Sequence, residues 1–305
     1  MRQLWVDAVG VADNLAGPHK TDPPLYLTLP GAHGLDVQRL IDAGLVQVAE
    51  NGAIAPQDVW KVVAVERNNK ASLVLKERLR GLRVLNQDIS GILASTGPLT
   101  WPRGEYERWC RARVVNLDLN NSLRCERWDG GRAVFPTVNL VSKLAQLHLK
   151  PPALDWVLCL TLAAQIEWSS DHCEMVQWFL RENFRNEERF AVDSRALLGE
   201  HLFDALMSEH PVDMAALSGD MKQALLMVFV PKKIVRETHG QGWKILTTHN
   251  LRYGGRDSQR MVSWLMQFTQ EPRVDVEPGA VYSESLAAAL AGAGVIDMDG
   301  ELRLN

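Results

Sequence analysis

Three short apolar runs, each closing on an acid, constrain this chain more than any other feature. VVAVE ends at Glu66, LRVLNQD at Asp88 and RVVNLD at Asp118. An apolar run of this kind is a strand covered on both faces, as in a parallel sheet flanked by helices. Ligands of open α/β sheets bind just beyond the carboxyl ends of such strands. The three acids are therefore expected to line one crevice.

Helical periods lie between the runs. LYLTLP, residues 25–30, reads as a strand, and GAHGLDVQRLIDAG follows with a glycine turn, an acidic first helical turn at Asp36 and a stop at Gly44. After VVAVE, Asn68 or Asn69 caps the helix ASLVLKERL. The helix VNLVSKLAQLHLK is stopped by Pro151 and Pro152, and LDWVLCLTLAA is the next strand. Strands alternating with helices at this spacing imply crossover units, with five parallel strands by residue 164.

From about 171 to 227 the pattern turns helical, an insertion into the α/β domain. LLMVFVPKKIV and GWKILTTHNLRYGG then read as two strands around the turn-prone THGQG, an antiparallel pair closing the sheet. MVSWLMQFTQ fits a helix or a last strand equally well. The expected organisation is a lead-in over 1–24, one α/β domain over 25–268 and a helix-hairpin extension over 269–305 that turns at Asp299 and Gly300. VQRLIDAGLVQVAENGAIAP shares the grammar of that extension, so both read as small winged-helix-like additions.

With 46% hydrophobic and 23% charged residues, the 305-residue chain is ordinary globular material and disorder is excluded. A net charge of -4 gives no global pull toward nucleic acid or anionic membrane. Cys110, Cys125, Cys159 and Cys173 show no CxxC pair and read as reduced thiols rather than metal ligands. No stretch approaches the ~18 uninterrupted apolar residues of a membrane span, and a cytoplasmic protein is expected.

The order of these residues resembles the class I S-adenosylmethionine-dependent methyltransferase fold, over roughly residues 25–268. That family has a glycine turn after its first strand, acids ending the second and third, and a polar motif ending the fourth. LPGAHG with Gly31 and Gly34, Glu66, Asp88 and the stretch NLDLNNS from Asp118 to Ser122 hold those places. The resemblance implies S-adenosylmethionine as cofactor: Glu66 on the ribose hydroxyls, Asp88 on the adenine amine, and Gly31 and Gly34 beside the methionine part. Asp118, Asn120 and Asn121 would orient the methyl acceptor.

A Gly-Gly loop carrying Arg252, Tyr253 and Arg256 suits phosphate and base contacts, so a nucleic acid or protein partner is expected there. Trp101, Trp109, Trp128 and Trp168 stand near the same edge, where an aromatic ring can stack on a base. Two positions depart from the pattern: Thr28 stands where an acid is usual, and Pro30 where a glycine often lies. Two functions follow, an S-adenosylmethionine-dependent methyltransferase or a non-catalytic, methyltransferase-like binding or scaffold subunit of a larger complex. Signatures such as GxSxG, the Walker loop, HExxH and GxGxxG are absent.

Overall fold

The computed structural model describes residues 2–15, 25–31, 33–94, 103–127, 133–239, 241–254, 260–270, 294–296 and 302–304. The chain divides into two compact units, residues 1–118 with 143–160 and residues 119–142 with 161–305.

Helix α1 (Arg2–Leu15) opens the first unit and buries Trp5, Ala8, Val9 and Ala12, which recur at three- and four-residue steps. Strand β1 (Tyr26–Thr28) follows, then α2 (Leu35–Asp42), against which α1 packs. Gly44 ends α2 at φ 73, its N–H bonded to the Ile41 carbonyl, as expected of a glycine stop. A bridge between Val48 and Ile54 makes a minimal hairpin after α2, so the helix-hairpin grammar of this stretch is real. Next come β2 (Val62–Val65), α3 (Asn69–Arg78) and β3 (Arg83–Leu85), with the Asn68 side chain capping α3 through the N–H groups of Lys70 and Ala71.

Helices α4 (Ile89–Ala94) and α5 (Arg103–Cys110) lead to β4 (Val114–Ser122). The short antiparallel pair β5 (Glu126–Arg127) and β6 (Ala133–Val134) precedes α6 (Pro136–His148), and β7 (Trp156–Ala163) follows. Within the first unit the strand order is β3-β2-β1-β4-β7. The β3–β2, β2–β1 and β1–β4 pairs are parallel. Every residue of β1, β2 and β7 is buried, as doubly covered strands require. The five expected strands are all present.

His148 locks the end of α6 to this sheet. Its ring nitrogens sit 2.8 Å from the Leu144 carbonyl and 3.0 Å from the Ala112 carbonyl, and the ring stacks on Trp156 at 4.5 Å between centroids. Burial pushes its pKa down to about 4, against the two carbonyl contacts, which raise it.

The second unit takes the ends of β4 and β7, the β5–β6 pair, the start of α6 and four further helices, α7 (Ser170–Asn186), α8 (Glu188–Leu198), α9 (Glu200–Met207) and α10 (Gly219–His239). Its strands are β8 (Trp243–Gly254), β9 (Arg260–Gln270), β10 (Gly294–Ile296) and β11 (Leu302–Leu304), in the order β7-β9-β8-β10-β11. β8 and β9 are antiparallel, as are β10 and β11, while β10 runs parallel to β8. The closing antiparallel pair exists: GWKILTTHNLRYGG supplies one strand as expected, but its partner is β9 and not LLMVFVPKKIV.

LLMVFVPKKIV is not a strand; it lies inside α10. Leu225 to Val230 are all buried, with Ile234 and Val235 beyond them, so the helix has no polar face to reveal its period. A helix buried all round reads as the same unbroken apolar run as a core strand. MVSWLMQFTQ is accordingly β9, partner of β8. The helix expected in the C-terminal extension, and the turn at Asp299 and Gly300, lie outside the described residues. No helix among the described residues is long and apolar enough to cross a membrane.

Gly31 and Gly34 both adopt positive φ, 58 and 54, but only Gly34 is hemmed in. A Cβ there would lie 2.6 Å from Leu79 Cδ1 and 2.7 Å from Leu75 Cδ1, whereas at Gly31 nothing stands within 4 Å. Gly31→Ala should cost about 1 kcal/mol of stability for the left-handed backbone alone. Gly34→Ala should cost roughly 2–3 kcal/mol, because α3 must also give way. Urea unfolding of both variants reads the difference directly.

Candidate functional site

The order β3-β2-β1-β4-β7 reverses direction at β1, since the chain builds outward through β2 and β3 and then returns to the other side of β1. A ligand of such a sheet binds where the order reverses, outside the carboxyl ends of β1 and β4. Register places the acids there. Thr28 pairs with Ala64 on one side and with Asn116 on the other, so Glu66 and Asp118 each lie two residues past the end of β1. With neighbouring strands ~4.8 Å apart, their backbones are about 10 Å from each other across β1. Asp88 follows β3, whose Leu85 pairs with Val65. Glu66, Asp88 and Asp118 therefore share one sheet edge, with Gly31 and Gly34 in the turn between them.

The centre of that edge is held by a residue that enters as an ordinary first-turn helix acid. Asp36 of α2 is buried, and its Oδ2 accepts hydrogen bonds from the Tyr26 hydroxyl at 3.1 Å, the Asn116 amide at 3.0 Å and the Thr28 hydroxyl. Asn116 also donates to Thr28 Oγ1 at 3.3 Å. Thr28 thus replaces the usual acid by binding one that arrives from the next helix. Burial, and then the Asp36 charge, hold the Tyr26 phenol well above its ordinary pKa, so it remains a donor.

Asp118 lies two residues beyond Asn116 on β4 and so projects to the same face. Burial, reinforced by the Asp36 charge, raises its pKa to about 6. β4 does not open into a loop at this point but continues as strand to Ser122, so Asn120 and Asn121 belong to β4 and to the second unit.

Glu66 and Asp88 each serve the backbone with one oxygen. Glu66 Oε1 accepts the Asn68 N–H at 2.7 Å, and Asp88 Oδ1 accepts the Ser90 N–H at 2.7 Å, capping α4. The Arg67–Asp88 contact, at 3.8 Å between exposed groups, adds little. A carboxylate has two oxygens, so among the described residues Glu66 Oε2 has no hydrogen-bond partner and Asp88 Oδ2 meets only the distant arginine. Both caps orient the acids without exhausting them.

Arg252 and Tyr253 differ from expectation: they lie inside β8, half-buried, and not in a loop. Tyr253 has its hydroxyl 3.4 Å from Ser263 Oγ, and its carbonyl accepts from Gln223 at 3.2 Å. Arg256, Trp101 and Trp128 lie outside the described residues. Trp109 and Trp168 are buried core side chains, and the Trp168 indole donates to the Leu123 carbonyl at 2.7 Å. A cavity of about 260 Å³ lined by Tyr106, Cys110, Lys143 and Leu147 lies between α4, α5 and α6. Cys110 precedes β4 and Leu147 precedes β7, so this cavity opens toward the amino ends of the strands, away from the acids.

Within the second unit β8 and β9 form an antiparallel pair. The fold is Rossmann-like. No protein-family profile and no curated protein matches the sequence. Similar solved structures include a SAM-dependent methyltransferase from Agrobacterium tumefaciens, 16% identical with a TM-score of 0.35, covering 88% of this chain and 62% of that one. A Listeria monocytogenes protein assigned to the class I S-adenosylmethionine-dependent methyltransferases is 11% identical with a TM-score of 0.37, covering 91% and 62%. A Vibrio vulnificus protein assigned as a modification subunit of a type I restriction enzyme is 10% identical with a TM-score of 0.36, covering 88% and 44%. This chain spans about six-tenths or less of the length of these proteins.

The raised pKa of Asp118 has a consequence for stability. Between about pH 4, where the unfolded chain releases this proton, and about pH 6, the folded state still holds it, so stability falls as pH rises through that window. Asp118→Asn should stabilise the protein at about pH 8 by roughly 1 kcal/mol, and the gain should vanish below about pH 4. Denaturant unfolding at the two pH values measures it.

Proposed function

We propose that this chain is an S-adenosylmethionine-dependent methyltransferase, the acids at the switch point being its ligand-holding groups. The observation that carries the reading is the shared level of Glu66 and Asp118 on either side of β1. The residues fit the adenosine half of the cofactor. Glu66 has an oxygen to spare for the ribose hydroxyls, and Asp88 has one for the adenine amine. Gly31, open and at positive φ, leaves room for the backbone to approach the methionine part. Bound there, the cofactor supplies an electrophilic methyl group. Asp118 orients an acceptor N–H or O–H.

Positioning is most of what such a site must do, so short polar side chains suffice. The narrower form of the proposal is a nucleic-acid acceptor, for which Arg252, Tyr253 and Arg256 are the candidates by sequence. A second reading, a binding or scaffold subunit without transfer activity, is favoured by two observations: β4 stays closed as strand past Asp118, and Asp36 has one oxygen already engaged by three protein donors.

Calorimetric titration separates the readings. S-adenosylmethionine should bind with micromolar affinity, and Glu66→Ala should weaken binding at least ~10-fold, the loss of about 1.4 kcal/mol from one charged hydrogen-bond acceptor. Binding at that affinity without methylation of amine- or hydroxyl-bearing acceptors selects the scaffold. No heat at high protein concentration removes the methyltransferase reading.

A further inference from the structure

We propose that the cavity between α4, α5 and α6 is a binding site for a small apolar carboxylate, with the ammonium of Lys143 as its anchor. The described residues that line it fall between Ile92 and Cys110 and between Lys143 and Lys150, so all belong to the first unit. The site lies toward the other end of the sheet from the acids and does not rest on the methyltransferase reading.

The floor of the cavity is apolar. Ile92 of α4, Tyr106 and Cys110 of α5 and Leu147 of α6 are all buried and all line it. Burial pushes the Cys110 thiol up to about 12, so at neutral pH it stays protonated and offers apolar surface in place of a thiolate nucleophile. Each methylene laid on such a floor adds affinity through the surface it withdraws from water. The volume, about 260 Å³, falls just under the roughly 300–1,000 Å³ of pockets that take drug-sized molecules, so the ligand is smaller than those.

Charge enters from α6 and the residues after it. Glu107 and Lys150, both lining the cavity, neutralise each other in an ion pair at 2.5 Å. Lys143, one helical turn before Leu147, is half-buried and has no hydrogen-bond or ion-pair partner among the described residues. A cation partly withdrawn from water without a counter-charge is where an anion gains most. Gln146, exposed beside it, adds a donor amide. A fully apolar ligand would leave the Lys143 ammonium unpaired, an inorganic anion would leave the floor unfilled, and an amine would set a second cation against Lys143. One carboxylate on a short apolar body satisfies the floor and the lysine together.

Calorimetric titration of the full chain with octanoate tests the site, without S-adenosylmethionine, so its result is independent of whether that cofactor binds. Octanoate should bind with sub-millimolar affinity. Octanol and octylamine, the same chain with a neutral and a cationic head, should each bind at least ~10-fold more weakly. Lys143→Gln should weaken octanoate about 10-fold. Gln146 is exposed, so changes there leave the core intact: Gln146→Glu should weaken octanoate several-fold and Gln146→Lys should strengthen it. Amide NMR shifts on adding octanoate should centre on Leu93, Cys110 and Leu147. The proposal is overturned by any of four results: no octanoate binding, octanol or octylamine bound as tightly, shifts centred elsewhere, or an affinity unmoved in Lys143→Gln and both Gln146 variants.

Discussion

One buried carboxylate organises the carboxyl edge of the first unit's sheet. Asp36 leaves the first turn of α2 and joins the end of β1 to β4 through three donors on one oxygen. Without those donors the charge would be prohibitively costly to bury, and without the charge the three donors would have no common acceptor. The helix start is equally committed, because Gly34 sits at positive φ with Leu75 and Leu79 of α3 where a side chain would go. Helix, turn and two strands are therefore fixed as one piece directly under the switch point.

The acids at the strand ends show why a structural role and a ligand role need not exclude each other. Glu66 and Asp88 bind backbone N–H groups two residues downstream, which is the commonplace reason for an acid at the start of a helix. Each does so with one oxygen. The cap sets the direction of the carboxylate and leaves its second oxygen without a hydrogen bond among the described residues. Asp118 differs from both, since among the described residues no local donor serves it and burial raises its proton affinity.

Much of the architecture was legible because its signals are local. Runs such as VVAV and WVLCLTLA are apolar at every position, and only a doubly covered strand asks for that. Asn68 as a cap and Gly44 as a stop act through hydrogen bonds and backbone angles a few residues away. Residues 225–235 were misread for a definite reason: residues 224–232 of α10 are buried on all sides, so the helical period vanished from that stretch. Pro231 within it was a usable warning, since a proline is as foreign to a central strand as to a helix interior. Asp36 was legible as a helix acid and nothing more.

By itself the sequence determined the alternation of strands and helices, the acids that end them and the positions of caps and stops, because those depend on neighbours within a turn or two of chain. The tertiary structure alone decided what Asp36 does. Its partners Asn116 and Tyr26 stand 80 and 10 residues away, and no local pattern announces that the three will meet. It likewise decided the environment of Asp118, which depends on a charge brought in from another element. Proton affinity is a property of surroundings, and surroundings exist only once the chain has folded.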